Sequence, residues 1–429
     1  MADRQFAFET LALHAGQIPD PATGARAVPL YQTTSFVFDS AEHAASLFNL
    51  QTFGNVYTRL SNPTTAVFEE RVAALENGRA ALATATGMAA QMTAILAILK
   101  EGDEIVSAST LYGGTIGQFG AGFERMGIRT TFVDPDDPDN FRRAITSKTR
   151  LIYAETLGNP LINVLDIEAV AKIAHEAELP LMVDNTIPSP YLCRPFEFGA
   201  DIVVHSATKY MGGHGTSMGG VIVESGKFNW ANGKFPEMTE PSRGYHGVRF
   251  YETFGDFGYT MKARMEVLRT FGPAIAPFNA WMILQGLETL HVRMDRHVAN
   301  AQKVAEFLEA HELVSWVSYP GLKASKYYAL GQKYLPRGAS GIIAFGVKGG
   351  LVAGEKFIEA AQFMSHLANI GDAKTLIIHP GSTTHRQLSE EEQRKAGVSP
   401  DMIRLSVGIE NIDDILWDLD QALAASQKK

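Results

Sequence analysis

Lys209 differs from the other lysines of the chain because small and hydroxylated residues surround it in the sequence. It follows the apolar run 200–204 together with Ser206 and Thr208, and a series of glycines begins at Gly212. Small residues allow a ligand to approach the backbone closely. A lysine held near apolar strands loses its charge more readily, as the amine of a Schiff base must. The pattern favours a reactive amine over the alternative, a strand-edge lysine followed by a flexible loop.

Asp184 supplies a carboxylate at the end of the preceding apolar run, residues 180–183. A carboxylate at such a position can pair with a buried cation or cap a helix. It can also hold the protonated ring nitrogen of pyridoxal phosphate, whose electron-sink chemistry depends on that proton. An aspartate and a lysine at neighbouring strand ends form the arrangement that this cofactor needs, so we expect pyridoxal 5′-phosphate to bind here.

The residues Thr86-Gly87-Met88 precede and begin a predicted helix, residues 88–99, and provide a third candidate. The N–H groups at a helix start lack intrahelical acceptors and carry partial positive charge, so they suit a phosphate group. Thr86 taken alone is better explained as a plain N-cap. In a chain that also has the aspartate and the lysine, the segment favours a phosphate-binding turn.

Other classes of phosphate, metal and nucleic-acid site find less support in the sequence. The P-loop pattern Gly-x-x-x-x-Gly-Lys-Ser/Thr is absent, and the glycines at 213–215 lack the last glycine of the dinucleotide fingerprint. The 12 histidines lack ligand spacing and the single cysteine excludes a Cys-rich metal site, so we expect no metal. A net charge of −9 argues against broad nucleic-acid binding.

Short apolar runs that alternate with an amphipathic helix must position these side chains. The runs 151–154, 180–183 and 200–204 lack period-two alternation, and residues 167–177 place apolar residues at helical spacing. This pattern predicts an α/β fold with a mostly parallel sheet covered on both faces. Each run ends in polar residues, and ligands bind beyond the carboxyl ends of such strands. We therefore expect one site at this edge, formed by Glu155, Asp184 and the segment 206–209.

Composition divides the chain of 429 residues into three predicted parts. Residues 1–60 are expected to form an extended N-terminal arm, residues 61–272 the large cofactor-binding domain, and residues 273–429 a smaller α+β domain. Residues 228–260 are rich in glycine, proline and aromatic residues and predict a long functional loop.

Two features bear on the compartment. Residues 80–99 carry no charge, but polar residues and Gly87 interrupt them, so we expect a strand and a helix instead of a membrane span. The single cysteine, Cys193, indicates a reducing compartment, and we expect a cytoplasmic protein.

Seven motifs, in order along nearly the whole chain, resemble those of the Cys/Met-metabolism family of pyridoxal-phosphate enzymes. They are YTRLSNPTT at 57–65, TGM at 86–88, YGGT at 112–115, ETLGNP at 155–160, VDNT at 183–186, SATKYMGGHG at 206–215 and RLSVGIE at 404–410. The resemblance implies the type I, aspartate aminotransferase-like fold. It also implies a homotetramer made of dimers that share active sites.

Within that family, other segments resemble the branch of O-acetylhomoserine sulfhydrylases. These segments are GYHGVRFYE at 244–252, PFNA at 277–280, LQGLET at 284–289 and HPGSTTH at 379–385. Gly114 argues against the methionine γ-lyases, which resemble this region but have a cysteine at that position. Thr86 differs from the serine of many relatives, but it keeps the hydroxyl group.

The resemblance implies a role for each residue that matches a cofactor motif. Lys209 would hold the cofactor covalently and act as the mobile acid and base, with Tyr112 assisting it and stacking on the ring. Asp184 would pair with the ring nitrogen, and Asn159 would contact the side of the ring that carries the phenolic oxygen. The groups implied for the phosphate are the backbone amides of Gly87 and Met88, the hydroxyls of Ser206 and Thr208, and Tyr57 and Arg59 from a neighbouring subunit.

The substrate contacts are implied in the same way. Arg404 would clamp the substrate carboxylate with its two-pronged guanidinium, assisted by Ser340, and Asn159 and Tyr57 would also contact the substrate. Taken singly, the tyrosines are explained at least as well as core aromatics, and the arginines as surface or strand-anchoring cations. Their joint presence with Lys209 and Asp184 favours the site.

The reaction that the resemblance implies is γ-replacement, in which O-acetyl-L-homoserine and sulfide give L-homocysteine and acetate in methionine biosynthesis. The alternatives are cystathionine γ-synthase and O-succinylhomoserine sulfhydrylase, which use the same machinery with another thiol or leaving group. A catalytically idle relative is less favoured because every expected catalytic position is present. The expected partners are small molecules, with neither nucleic acid nor membrane among them.

Overall fold

A seven-stranded β-sheet forms the core of the larger part of the chain. The computed structural model describes residues 4–383 and 397–428. Its strands are β1 Ala80–Thr84, β2 Glu104–Ala108, β3 Arg129–Val133, β4 Thr149–Glu155, β5 Leu181–Asp184, β6 Ile202–Ser206 and β7 Gly220–Glu224. They lie in the order β1-β7-β6-β5-β4-β2-β3, with β7 antiparallel to both neighbours and the other pairs parallel. The predicted mostly parallel sheet is confirmed.

Helices cover this sheet, and local sequence explains where two of them begin. The side chain of Asn62 accepts the N–H groups of Thr64 and Thr65 at the start of one helix, and Asp166 caps another. β2 and β7 are buried at every position, as expected when both faces of a sheet are covered. The α-helices up to residue 271 are Phe8–His14, Ala41–Phe48, Pro63–Glu76, Gly87–Leu96, Gly113–Gly117, Asp139–Ala144, Ile167–Glu176, Ser189–Leu192, Pro236–Thr239, Phe250–Phe254, Gly258–Lys262 and Arg269–Phe271.

A smaller five-stranded sheet follows in the chain. Its strands are β8 Val314–Ser318, β9 Ile342–Val347, β10 Ser365–His366, β11 Leu376–Ile378 and β12 Met402–Ser406. They lie in the order β10-β11-β12-β9-β8. The accompanying α-helices are Pro277–Glu288, Leu290–Ala310, Tyr328–Tyr334, Gly350–Ala360 and Ile412–Ser426. The domain boundary near residue 273 stays a prediction. Within the described part of the chain, no helix has both the length and the apolar composition that crossing a membrane requires.

Two regions have more regular structure than the sequence suggested. The N-terminal arm contains the helices Phe8–His14 and Ala41–Phe48, so it is not extended throughout. The segment 228–260 is not a continuous loop, because it includes the helices Pro236–Thr239 and Phe250–Phe254. Its aromatic residues explain the difference, since they pack into the core: the rings of Trp230 and Tyr259 stack with centroids 5.1 Å apart.

Candidate active site

A cavity of about 250 Å³ lies at the carboxyl edge of the parallel strands. Parallel strands β4, β5 and β6 end there in Glu155, Asp184 and Ser206. The convergence expected from the sequence is therefore present in the structure. The predicted site residues that line this cavity are Gly87, Met88, Tyr112, Asn159, Asp184, Ser206, Thr208, Lys209 and Arg404.

Asp184 is held at the end of β5 by hydrogen bonds from neutral groups. The backbone N–H of Thr186 donates to Oδ1 at 2.9 Å, and the side-chain amide of Gln91 donates to Oδ2 at 3.1 Å. The hydroxyl of Tyr153 lies 3.5 Å from Oδ2. Neutral donors stabilise a carboxylate without neutralising it. Asp184 can therefore offer its charge to a cationic group in the cavity.

The Lys209 amine has a lowered pKa and a neutral hydrogen-bond partner. Its Nζ donates to Oδ1 of Asn369. Burial, with a smaller contribution from the positive charge of Arg404, lowers the pKa of Lys209 to about 8. Both effects disfavour the charged ammonium form. The amine is therefore available as a nucleophile or base closer to neutral pH than an ordinary lysine.

Arg404, on β12, brings a guanidinium from the smaller sheet to the same cavity. Its Nη1 donates to Oδ1 of Asn159 at 3.0 Å and its Nη2 to the carbonyl of Asn369 at 3.4 Å. Burial lowers the pKa of Arg404 to about 10. The group is still a cation at neutral pH, and both partners are neutral. It is thus oriented to bind an anion such as a carboxylate.

The helix Gly87–Leu96 presents its N-terminus to the cavity. Thr86 caps it, because its hydroxyl accepts the N–H of Ala89 at 3.0 Å, and the N–H of Ala90 donates to the Thr86 carbonyl. The N–H groups of Gly87 and Met88 precede these bonds and belong to the unpaired first turn. A Cβ on Gly87 would lie 2.6 Å from the Cβ of Ser206, so the close approach of the two segments requires glycine.

Glu155 is a second carboxyl group at this edge. It is 7% exposed, and its Oε1 accepts the backbone N–H of Tyr112 at 2.7 Å. Burial, followed by the negative charge of Asp184, raises the pKa of Glu155 well above its usual range. From the sequence we expected Glu155 at this edge of the sheet, but we predicted no role for it.

Three predicted residues lie outside the lining of this cavity. Tyr57 and Arg59 line a separate surface pocket with residues of the N-terminal arm, and Tyr57 is 40% exposed. The guanidinium of Arg59 lies 5.0 Å from the centroid of the Tyr57 ring. Ser340 is buried just before β9 of the smaller sheet, where its hydroxyl accepts the N–H of Ile342 at 3.2 Å. The roles of these residues stay predictions.

Sequence reasoning missed Asn369 and Gln91, which contact Lys209 and Asp184 respectively. Asn369 lies in the segment between β10 and β11, where no motif was recognised. Gln91 lies four positions after Gly87 on the same helix. Residues four apart share a face of a helix, so this spacing could have predicted that Gln91 also faces the cavity. Of the motif at 379–385, Thr384 and His385 lie outside the described residues.

The residues of the cavity fit pyridoxal phosphate. A glycine-lined helix start with the Ser206 and Thr208 hydroxyls suits a phosphate, a carboxylate with neutral donors suits a protonated pyridine nitrogen, and a lysine with a lowered pKa suits the aldehyde. Within residues 4–383 and 397–428, no group of three or more His, Cys, Asp or Glu side chains could hold a metal ion. Fold and site together define a pyridoxal-phosphate enzyme with the type I fold.

Comparison with known proteins gives the family. A model described as Cys/Met metabolism PLP-dependent enzyme matches residues 9–424. The O-acetyl-L-homoserine sulfhydrylase of Leptospira meyeri is 58% identical, with 98% of this chain and 97% of that protein covered. The homocysteine synthase of Schizosaccharomyces pombe is 52% identical, with 97% and 98% covered. The chain therefore belongs to the Cys/Met-metabolism family of pyridoxal-phosphate-dependent enzymes.

A solved structure supports the same conclusion on the fold and the cofactor. A Campylobacter jejuni protein assigned as an O-acetylhomoserine (thiol)-lyase matches with a TM-score of 0.95 at 39% identity, covering 98% of this chain and 100% of that one. That protein carries N′-pyridoxyl-lysine-5′-monophosphate. The predicted type I fold and the predicted cofactor are confirmed.

Proposed function

We propose that this enzyme catalyses γ-replacement, converting O-acetyl-L-homoserine and sulfide to L-homocysteine and acetate in methionine biosynthesis. The observation that carries the proposal is the cavity, where a lysine of lowered pKa and an arginine oriented by neutral partners lie together. This pair suits an α-amino acid substrate, because it provides a base for Cα and a cation for the carboxylate. Relatives named O-acetyl-L-homoserine sulfhydrylase support the choice of substrate.

The cofactor would be held by the groups that line the cavity. The amides of Gly87 and Met88 and the hydroxyls of Ser206 and Thr208 would bind its phosphate, and Asp184 would bind its ring nitrogen. Tyr112 and Asn159 would contact its ring. When bound, pyridoxal phosphate supplies an electron sink that stabilises negative charge at the substrate carbons.

Lys209 is the residue that moves protons in this proposal. A neutral Nζ accepts the proton from the substrate Cα, and the ammonium that results returns a proton later in turnover. The pKa of about 8 suits both directions, since neither protonation state is strongly disfavoured near neutral pH. Asn369 gives the amine a fixed position through its hydrogen bond with Nζ.

The bonds to the substrate change as follows. Protons leave Cα and Cβ, and acetate departs from Cγ with the electrons of the C–O bond. Hydrosulfide then forms the new C–S bond at Cγ, and protons return to Cβ and Cα. Arg404 binds the substrate carboxylate throughout, so the α-carbon stays within reach of the Lys209 amine.

Product analysis tests the choice among related reactions. The purified enzyme receives O-acetyl- or O-succinylhomoserine with sulfide or cysteine, and Lys209→Ala serves as the control. We expect the acetyl ester with sulfide to give homocysteine at the highest kcat/KM. A preference for cysteine would identify cystathionine γ-synthase, and a preference for the succinyl ester would identify O-succinylhomoserine sulfhydrylase. Either outcome would contradict the proposed substrate pair.

The assembly is also part of the proposal, as a homotetramer of dimers in which Tyr57 and Arg59 complete the phosphate site of a neighbouring subunit. The exposure of Tyr57 and the position of both residues outside the cavity support this arrangement. Mixing inactive Arg59→Ala and Lys209→Ala subunits should restore activity, because one site of a mixed dimer then has both native residues. A mixture that stays inactive after confirmed subunit exchange would contradict shared sites.

We also propose that the protein works in the cytoplasm. Its single cysteine, Cys193, is free and buried, which suits a reducing compartment. Cell fractionation with an antibody to the protein tests this, and recovery from an extracytoplasmic fraction would contradict it.

A further inference from the structure

Glu155 lies beside Asp184 and accepts a hydrogen bond from Tyr112, two residues that have separate roles in the proposed reaction. It is the last residue of β4, and its neighbour across the sheet is Asp184 at the end of β5. Its Oε1 accepts the backbone N–H of Tyr112 at 2.7 Å. Tyr112 precedes the short helix Gly113–Gly117 as an N-cap whose own side chain makes no capping bond. This hydrogen bond therefore fixes the main chain at Tyr112, a residue that lines the cavity.

Two carboxyl groups at neighbouring strand ends do not readily ionise together, because each charge opposes the other. Their hydrogen bonds indicate which one keeps the charge. Asp184 accepts N–H bonds on both oxygens, from Thr186 and Gln91, whereas Glu155 accepts its N–H bond on Oε1. N–H donors favour the ionised form of the acid that receives them.

The two cations of the cavity, Lys209 and Arg404, form hydrogen bonds with groups other than Glu155. Lys209 donates to the side chain of Asn369, and Arg404 donates to Asn159 and to the backbone of Asn369. Glu155 is buried, so ionising it would place a charge with little hydration beside Asp184. Burial and the Asp184 charge accordingly raise the pKa of Glu155.

We propose that Glu155 is a positioning residue that works as a neutral acid: its carbonyl oxygen holds the main chain of Tyr112, and Asp184 keeps the negative charge. The proposal rests on the placement of Tyr112 in the proposed site. It does not depend on which ester or thiol the enzyme uses. A glutamine at this position keeps both the neutral charge and the carbonyl acceptor, whereas an alanine removes both.

The test compares Glu155→Gln and Glu155→Ala in the full-length holoenzyme without substrate. Glu224 provides a matched control at the opposite edge of the sheet. It is also buried and accepts a backbone N–H, from Thr260 at 2.8 Å, and burial raises its pKa to about 7. Hydrogen exchange of the peptide containing Tyr112 and the rate of cofactor loss on dialysis are measured for each variant.

We expect Glu155→Ala to increase exchange at Tyr112 and the rate of cofactor loss by about tenfold, the effect of losing one buried hydrogen bond. Glu155→Gln should restore wild-type behaviour in both measurements, and Glu224→Ala should alter neither. Wild-type protection in Glu155→Ala would overturn the positioning role. If Glu155→Gln behaves like Glu155→Ala, the neutral form is not the working one and the proposal is wrong.

An infrared difference spectrum tests the protonation state directly, including the case in which Glu155→Ala does not fold. The wild-type minus Glu155→Gln spectrum at neutral pH should contain the carbonyl band of a protonated carboxylic acid. The wild-type minus Glu224→Gln spectrum identifies any band that belongs to Glu224 instead. A carboxylate band from Glu155 would show that it is ionised and would refute the proposal.

Discussion

Several charged side chains at the two edges of the seven-stranded sheet have different kinds of partner, although Glu224 at the amino edge accepts only a neutral backbone N–H from Thr260 among the described hydrogen bonds. At the amino edge, Asp201 accepts hydrogen bonds from His175 at 2.9 Å and from the N–H of Leu181 at 2.9 Å. At the same edge, Arg129 forms an ion pair with Glu104 at 2.7 Å. At the carboxyl edge, Asp184, Lys209 and Arg404 have neutral partners instead.

The charged pairs at the amino edge stabilise the fold, whereas the charged groups at the carboxyl edge are available to bind a ligand. A buried carboxylate that pairs with a cation is neutralised by that partner, so it attracts a charged small molecule only weakly. Charges with neutral partners stay available to a bound group, and burial lowers the pKa values of Lys209 and Arg404, as is common at functional sites. Substitutions should therefore affect chemistry at the carboxyl edge and stability at the amino edge.

The largest effect is expected from Lys209→Ala, which removes the amine that holds the cofactor and moves protons. We expect kcat to fall by about 10³-fold or more, within the range for a positioned acid–base group. Circular dichroism and Tm should change little, because the amine pairs with a neutral group. The exposed Lys227 at the amino edge is the control, and Lys227→Ala should keep wild-type kcat. Turnover retained by Lys209→Ala would contradict the site.

Exchanging aspartate for asparagine at both edges should distinguish a role in catalysis from a role in stability. Asp184→Asn should lower kcat by about 100-fold, since the ring nitrogen loses its anionic partner. Asp201→Asn should leave kcat unchanged and lower the free energy of unfolding by about 1–3 kcal/mol, because the buried bonds to His175 and Leu181 are disturbed. Steady-state kinetics and urea unfolding measure both variants. The reverse pattern would refute the distinction between the edges.

Arg404→Lys tests whether the arginine binds the substrate carboxylate with both prongs. We expect KM to rise about tenfold, as a two-pronged contact becomes a point contact. The control is Arg129→Lys at the amino edge, where the exposed Arg129 pairs with Glu104 and the change should alter stability by less than about 1 kcal/mol. An unchanged KM in Arg404→Lys would remove Arg404 from the substrate site.

The smallest expected effect is a shift in pH dependence. In the cofactor-free enzyme, the rate of pyridoxal phosphate uptake should rise as pH increases through about 8, because the neutral amine of Lys209 is the nucleophile. Arg404→Leu removes a neighbouring positive charge, so the midpoint should move to higher pH. A midpoint near that of a surface lysine in the wild-type enzyme would contradict the lowered pKa.

The sequence was most informative about the carboxyl edge. The apolar runs before Glu155 and Asp184 gave both strand ends correctly, because buried parallel strands are continuous apolar segments. Asn369 could not be found in this way, since it contacts Lys209 from the segment between β10 and β11, 160 positions further along the chain. The packing of segment 228–260 was missed because glycine and proline indicate turns, whereas tertiary contacts of Trp230 and Phe235 determine the structure there.

Borohydride reduction of the holoenzyme, followed by peptide mass mapping, shows whether Lys209 is the amine bonded to the cofactor. We expect the added mass of a phosphopyridoxyl group on the peptide containing Lys209, with the visible absorption of the protein lost at the same time. The added mass on a different lysine, or an unmodified Lys209 peptide after the colour is lost, would contradict it.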